Sequence, residues 1–151
     1  MMRFAIDSND HGEFIRIGDE LKHVQTLIYL YQLRKKDANL PKLMYSSDVA
    51  TLSFIPLVIL TLAENMIKHG TFNASTPPYH LRLEIIDGLF VLETKNTIGA
   101  QNMKLNSRAG LKNTENRLKF VYGDQLGFSH CQDNAKHFIV RITIPVDLMM
   151  G

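Results

Sequence analysis

Apolar side chains recur along this chain with two periods, and the switches between them mark out its elements. From about residue 20 to 35, Leu21, Val24, Leu27, Ile28 and Tyr31 follow the helical spacing of three and four, with Gly18 or Asp19 placed to cap. Arg34, Lys35 and Lys36 close this helix with cations at the negative end of its dipole. Pro56 suits the first turn of a second helix, where its missing N–H is not needed. That helix runs to His69, with Gly70 as its stop. A third is predicted from about residue 111 to 121, with Leu111, Leu118 and Val121 inward and Tyr122-Gly123-Asp124 ending it.

Period-two alternation supplies the strands. Residues 13–17 and 41–46 read as short ones. Residues 80–96 are clearest, because Asp87-Gly88 is a two-residue turn signal between two alternating runs. Pairing across that turn sets Leu83 opposite Leu92 and Ile85 opposite Phe90 on one face. On the other face Arg82 meets Glu93, an opposite-charge pair. A final hairpin pairs residues near 126–130 with 137–144, where Phe138, Val140, Ile142 and Ile144 alternate. Residues 48–53 and 71–78 are polar connections, and 97–109 form a long loop without periodicity, a length that usually carries a function. The sum is an α+β domain spanning 1–151: a two-layer α/β sandwich with three helices on one face of a mixed, mostly antiparallel sheet.

Composition changes this picture little. Hydrophobic residues make up 45% and charged ones 21%, ordinary for a soluble globular chain. A net charge of +2 is too small to argue direct nucleic-acid binding, although Lys104, Arg108, Lys112, Arg117 and Lys119 crowd one region. Cys131 is the only cysteine, which excludes an internal disulfide and predicts a buried, inert thiol. His and Cys show no zinc spacing. No apolar run reaches the ~20 residues of a membrane span, so no membrane contact is expected of this chain. The start shows no signal peptide and no good cap, as expected of a fragment excised from a longer protein.

Residues 62–70 carry the chemistry. Glu64, Asn65, Lys68 and His69 fall within two turns of an otherwise apolar helix, and Asn65, Lys68 and His69 share one face. Oxygen ligands for a hard cation, a point charge for phosphate and an acid-base group together suit a metal-bound polyphosphate. The plainer alternative is a basic last turn complementing the helix dipole before a glycine cap.

The order of motifs completes the reading. A helix ending Glu64-Asn65-x-x-Lys68-His69-Gly70 precedes a hairpin, a loose lid, Gly110-Leu111-Lys112-Asn113 and a helix with Arg117-Leu118. This order resembles the ATP-binding (Bergerat or GHKL) domain of sensor histidine kinases, and most of all its LytS-type branch. Phe54-Ile55-Pro56, Glu20-Leu21 and Leu33-Arg34 also fall where that branch has its own signatures. The likeness covers residues 3–145.

It implies that Asn65 helps hold the magnesium ion bridging the ATP phosphates, Lys68 faces the phosphates and His69 the base or sugar. It further implies that Glu64 is the candidate catalytic base. Gly110 would begin the third helix, its free N–H groups binding phosphate beside Leu111, Asn113 and Arg108. The family's Asp-x-Gly-x-Gly stands here as Asn96-Thr97-Ile98-Gly99-Ala100, so adenine would be read by the Asn96 carbonyl, with Gly99 displaced from the usual register.

None of the six histidines has the sequence context of a phosphoacceptor. The resemblance therefore implies a catalytic part that acts on a histidine of a separate dimerisation domain of the same kinase. The phosphoryl group would pass on to a response regulator, of LytTR type by analogy. The setting would be cytoplasmic, within a membrane-anchored parent. A degenerate scaffold that no longer binds nucleotide, or a GHKL ATPase or serine kinase, stays open beside this reading.

Overall fold

The computed structural model of the chain describes residues 14–35, 41–69, 80–97, 105–132 and 137–150. In chain order these form β1 (Ile15–Arg16), α1 (Ile17–Arg34), β2 (Lys42–Tyr45), α2 (Ser47–Ala50), β3 (Ser53–Phe54) and α3 (Val58–His69). They continue with β4 (His80–Ile86), β5 (Leu89–Thr97), α4 (Leu105–Tyr122), β6 (Gly127–Gln132) and β7 (His137–Pro145). Five strands make one sheet in the order β2-β4-β5-β7-β6. The β2–β4 pair is parallel and the remaining pairs are antiparallel. The two-layer α+β reading holds.

Alternation along the central strands builds the core. Leu81, Leu83, Phe90, Leu92, Val140, Ile142 and Ile144 lie on the sheet face that the helices cover, and all are buried. Phe54 links the layers, with ring centroids 5.6 Å from Phe90 and 6.0 Å from Tyr122. The opposite face is mixed, with Val91 and Ile139 beside charged residues. There Glu93 sits under Arg82 (2.8 Å), His80 (2.9 Å) and Arg141 (3.2 Å), so the charge pair read across the hairpin becomes the centre of a small ionic cluster. The hairpin register is the expected one, Leu83 to Leu92 and Ile85 to Phe90. Its turn has Asp87 at φ 50° and Gly88 at φ 79°, the left-handed pair that matches strand twist.

Several boundaries move, each for a local reason. The first helix begins at Ile17 and takes over the end of the expected 13–17 strand, because Ile17 completes the stripe with Glu20, Leu21 and Val24. Its N-cap residue is Arg16, without a side-chain cap, rather than Gly18 or Asp19. The polar connection at 48–53 contains the single turn α2 and the start of β3. Pro56 precedes α3 instead of joining its first turn. Cys131 is exposed, not buried: it stands on the edge strand β6 opposite Ile139, on the face the helices leave open.

The largest shift is α4. It begins at Leu105, six residues before the expected start, so the end of the predicted lid is helical. Leu111, Thr114, Leu118 and Tyr122 form its buried stripe, and Gly123 at φ 63° ends it. Among the described residues no helix is long and apolar enough to cross a membrane.

Helix α3 is held at its N-terminal end by two side chains from other elements. Glu20 of α1 is 2% exposed and accepts from the backbone N–H of Leu57 (2.8 Å) and of Leu60 (2.8 Å). A carboxylate there satisfies two donors without an intrahelical partner and faces the positive end of the dipole. Leu57 takes a left-handed conformation, φ 73°, which is costly for a residue with a Cβ. Arg117 of α4 donates from Nη2 to the Pro56 carbonyl at 2.8 Å.

Candidate functional site

Helix α3 brings the singled-out residues to one place because its two faces differ in kind. Val58, Ile59, Leu62, Ala63 and Met66 are buried on the inner side. Glu64 and Lys68 are exposed and Asn65 is half-buried at the border. Their spacing permits an i,i+4 pair, yet among the described residues Glu64 and Lys68 are not bonded to each other. Both charges stay available to a third party. His69 is the last residue of α3; its side chain falls outside the described atoms.

The second half of the site comes from α4. A Cβ placed on Gly110 would meet Nδ2 of Asn65 at 3.4 Å, so the Asn65 amide faces the place a side chain would take at Gly110. Pro56 meets Arg117 and Asn65 meets Gly110, and these two contacts make α3 and α4 antiparallel neighbours. The absent glycine side chain leaves the amide room at the helix crossing. This corrects the expected role of Gly110. It lies in the second turn of α4 and does not start it, so its N–H belongs to the helix ladder; the N–H groups without an intrahelical partner are those of the first turn, from Leu105.

Leu111 is buried in the core beneath this crossing, while Asn113 and Lys112 are exposed on the outer side of α4. The cation cluster is partly committed. Lys112 and Lys119 flank Glu115 at 3.8 and 3.1 Å, and Arg117 holds Pro56. Lys104, Gly99 and the Arg108 side chain fall outside the described residues and atoms.

Asn96 lies near the end of β5, 3% exposed, on the sheet face that α3 covers. Its register partner on β7 is Phe138. An amide side chain carries both an acceptor and a donor.

The donor set fits a hard divalent ion only in part. Asn65 supplies an amide oxygen and Glu64 a neighbouring carboxylate, and among the described residues no three His, Cys, Asp or Glu converge. That is less than a calcium cage requires. It suits magnesium, which retains waters and takes further oxygens from phosphates.

Residue-by-residue reading missed the two groups that hold α3 in place. Glu20 is the clearer loss. It interrupts the apolar stripe Ile17-Leu21-Val24 at a core position, and a lone acid there signals a buried partner. For Arg117 the chain offered only its place in a motif.

No protein-family model matches the chain, and no curated protein matches it in sequence. Solved structures do match its fold. The histidine kinase AdeS of Acinetobacter baumannii aligns over 97% of this chain and 75% of its own, at TM-score 0.59 and 13% identity. A nucleotide-free catalytic domain of the histidine kinase ThkA aligns over 89% of this chain and 97% of its own, at TM-score 0.61 and 13% identity. The histidine kinase domain of the blue-light-activated EL346 of Erythrobacter litoralis reaches TM-score 0.52 at 15% identity, over 89% of this chain and 67% of its own. At such identities the likeness is one of architecture: this chain has the fold of histidine kinase catalytic domains.

Proposed function

We propose that this chain is the ATP-binding catalytic domain of a sensor histidine kinase, of the LytS-type branch. The observation that carries the reading is the junction of Asn65 with Gly110, where the two motif-bearing helices meet. Helix α3 adds a carboxylate and an ammonium that are exposed and not paired with each other among the described residues, and β5 adds a buried amide, on a fold shared with histidine kinase catalytic domains.

The residues have distinct tasks in this reading. Asn65 offers its amide oxygen to magnesium, and Lys68 neutralises phosphate charge from the exposed end of α3. Asn96 reads adenine through its carbonyl, with His69 facing the base or sugar. Magnesium, held in part by Asn65, would supply charge neutralisation to the phosphates. The first turn of α4, with Gly99 and Arg108 on the lid side and Asn113 beyond it, lines the phosphate end. Glu64 takes the proton from the acceptor nitrogen as the phosphorus–oxygen bond to ADP breaks and the phosphorus–nitrogen bond forms. Transfer of this kind depends on positioning and charge more than on proton removal. The acceptor is a histidine of a dimerisation domain of the same kinase. A response regulator, of LytTR type by analogy, then takes the phosphoryl group, in a cytoplasmic setting below a membrane anchor.

A thermal-shift titration tests the binding step. Mg-ATP at ~100 times its dissociation constant adds about 2.7 kcal/mol to stability. No shift with any nucleotide at millimolar levels would instead favour the scaffold reading, whose support is the amide at Asn96 in place of the family's aspartate.

A further inference from the structure

We infer that Glu20 and Arg117 are positioning residues that set Asn65 against Gly110, and so tune the magnesium-dependent part of nucleotide binding; the second half of this statement rests on the functional reading above. Neither side chain is near Asn65 in sequence. Both act on the opposite end of the helix that carries it.

Apolar burial alone leaves the helix under-determined. Val58, Ile59, Leu62, Ala63 and Met66 keep the inner side of α3 in the core, but hydrophobic contact is non-directional and resists small slides and rotations weakly. Hydrogen bonds supply the missing direction. Glu20 uses both oxygens at once, Oε1 on the Leu57 N–H and Oε2 on the Leu60 N–H, each at 2.8 Å. Residues three apart lie about 60° apart around a helix, and first-turn N–H groups point along its axis toward the N-terminus, so one carboxylate can take both. Leu57, at φ 73°, leads the chain into the helix at that point. That arrangement fixes both the axial position and the rotation of α3 relative to α1.

Arg117 fixes the same end relative to α4, through the Pro56 carbonyl at 2.8 Å. Two contacts mark the two ends of this helix pairing. One is the Pro56–Arg117 bond. The other is Asn65 against Gly110, nine residues further along α3 and seven back along α4. At 1.5 Å of rise per residue these points are separated by about 10–13 Å. A turn of α3 released at its N-terminus would swing Asn65 off the Gly110 backbone, while the apolar side stayed in the core.

The sequence pattern agrees. Glu20, Pro56 and Arg117 come from three separate segments, and the fold gathers them at the end of α3 away from Asn65, Lys68 and His69. A conventional capping residue at position 57 would satisfy the helix N-terminus locally. This chain has a leucine there, 54% exposed, and reaches across the core for a carboxylate. The long-range cap ties helix α3 to its neighbours, which a local cap does not.

Amide spectra of the isolated chain and its variants decide the first half. Glu20→Gln and Arg117→Met should both move the Asn65 side-chain amide and Gly110 backbone amide signals, with the sheet signals near Arg141 unmoved. Unmoved Asn65 and Gly110 signals in both folded variants would overturn the proposal. The second half is read with a non-hydrolysable ATP analogue, titrated with and without magnesium. Glu20→Gln should cut the gain in affinity due to magnesium roughly tenfold, the effect of one lost charge-assisted hydrogen bond.

The same change in an Asn65→Ala background should cost nothing further, and Arg117→Lys should recover part of the Arg117→Met loss. A variant that only lowers the melting temperature, with the magnesium gain intact, refutes positioning through Asn65. Should the unaltered protein bind no nucleotide at all, the kinase reading falls. The amide signals would then still show whether Glu20 and Arg117 set the helix crossing.

Discussion

Asn65 is the residue on which most depends. It is half-buried, so Asn65→Ala removes an amide without opening a core cavity, and the melting temperature should stay within a few degrees, about 1 kcal/mol. Its magnesium-dependent nucleotide affinity should vanish, as isothermal titration with and without the metal would show. An unchanged titration would mean the metal is held elsewhere. Tyr122 makes a different kind of prediction. Burial pushes its hydroxyl far above the ordinary phenol value, an effect the Ile55 backbone offsets only in part. The folded state therefore keeps Tyr122 protonated where the unfolded chain ionises. The stability this contributes is fully present below pH ~10 and is lost as pH rises further, by up to about 1.4 kcal/mol per unit. Urea titrations between pH 9 and 11 should show that slope, and Tyr122→Phe should flatten it.

Helix α4 shows how much an element boundary changes the meaning of a residue. With a start at 111, Gly110 would be an anion-binding turn that needs its flexibility. With the start at Leu105 it is an interior helical glycine, and interior glycine is worse than alanine by roughly 0.5–1 kcal/mol. Gly110→Ala should therefore raise stability by about that amount in thermal melts, since the new methyl makes only an ordinary contact with Asn65. It should also place a methyl beside the Asn65 amide, narrowing its freedom to turn, and weaken magnesium-dependent binding. A loss of stability would argue that residues 105–110 are not helical in solution. Sequence pattern placed α3 well because Pro56 and Gly70 bracket it and a dense apolar run lies between them. It placed the α4 start late because residues 105–110 hold one large apolar side chain, Leu105, too little for a readable period.

The molecule as a whole divides its two sheet faces. One packs the helices and the candidate site; the other gathers Arg82, Arg141 and His80 around the half-buried Glu93. A catalytic part that works on a partner's histidine needs its reactive end open, and Glu64 and Lys68 stand exposed at the end of α3. Glu64→Gln should slow phosphoryl transfer to a separately supplied dimerisation domain roughly 10²-fold or more while ATP affinity changes little. Radiolabel transfer and equilibrium binding, measured side by side, check this; equal losses in both would remove Glu64 as the base.

The linear chain by itself determined the hairpin, its register, the alternating core strands and the helix that carries Glu64, Asn65 and Lys68. These follow from local rules: a turn dipeptide with left-handed backbone, and periods of two and of three to four that bury one side. Only the tertiary structure decided that Glu20 caps α3, that Arg117 grips Pro56, that Asn65 rests on Gly110 and that Cys131 faces solvent. Each of those depends on which segments lie side by side, and hydrogen-bond partners 37 and 61 residues apart leave no periodic trace in the residues between them.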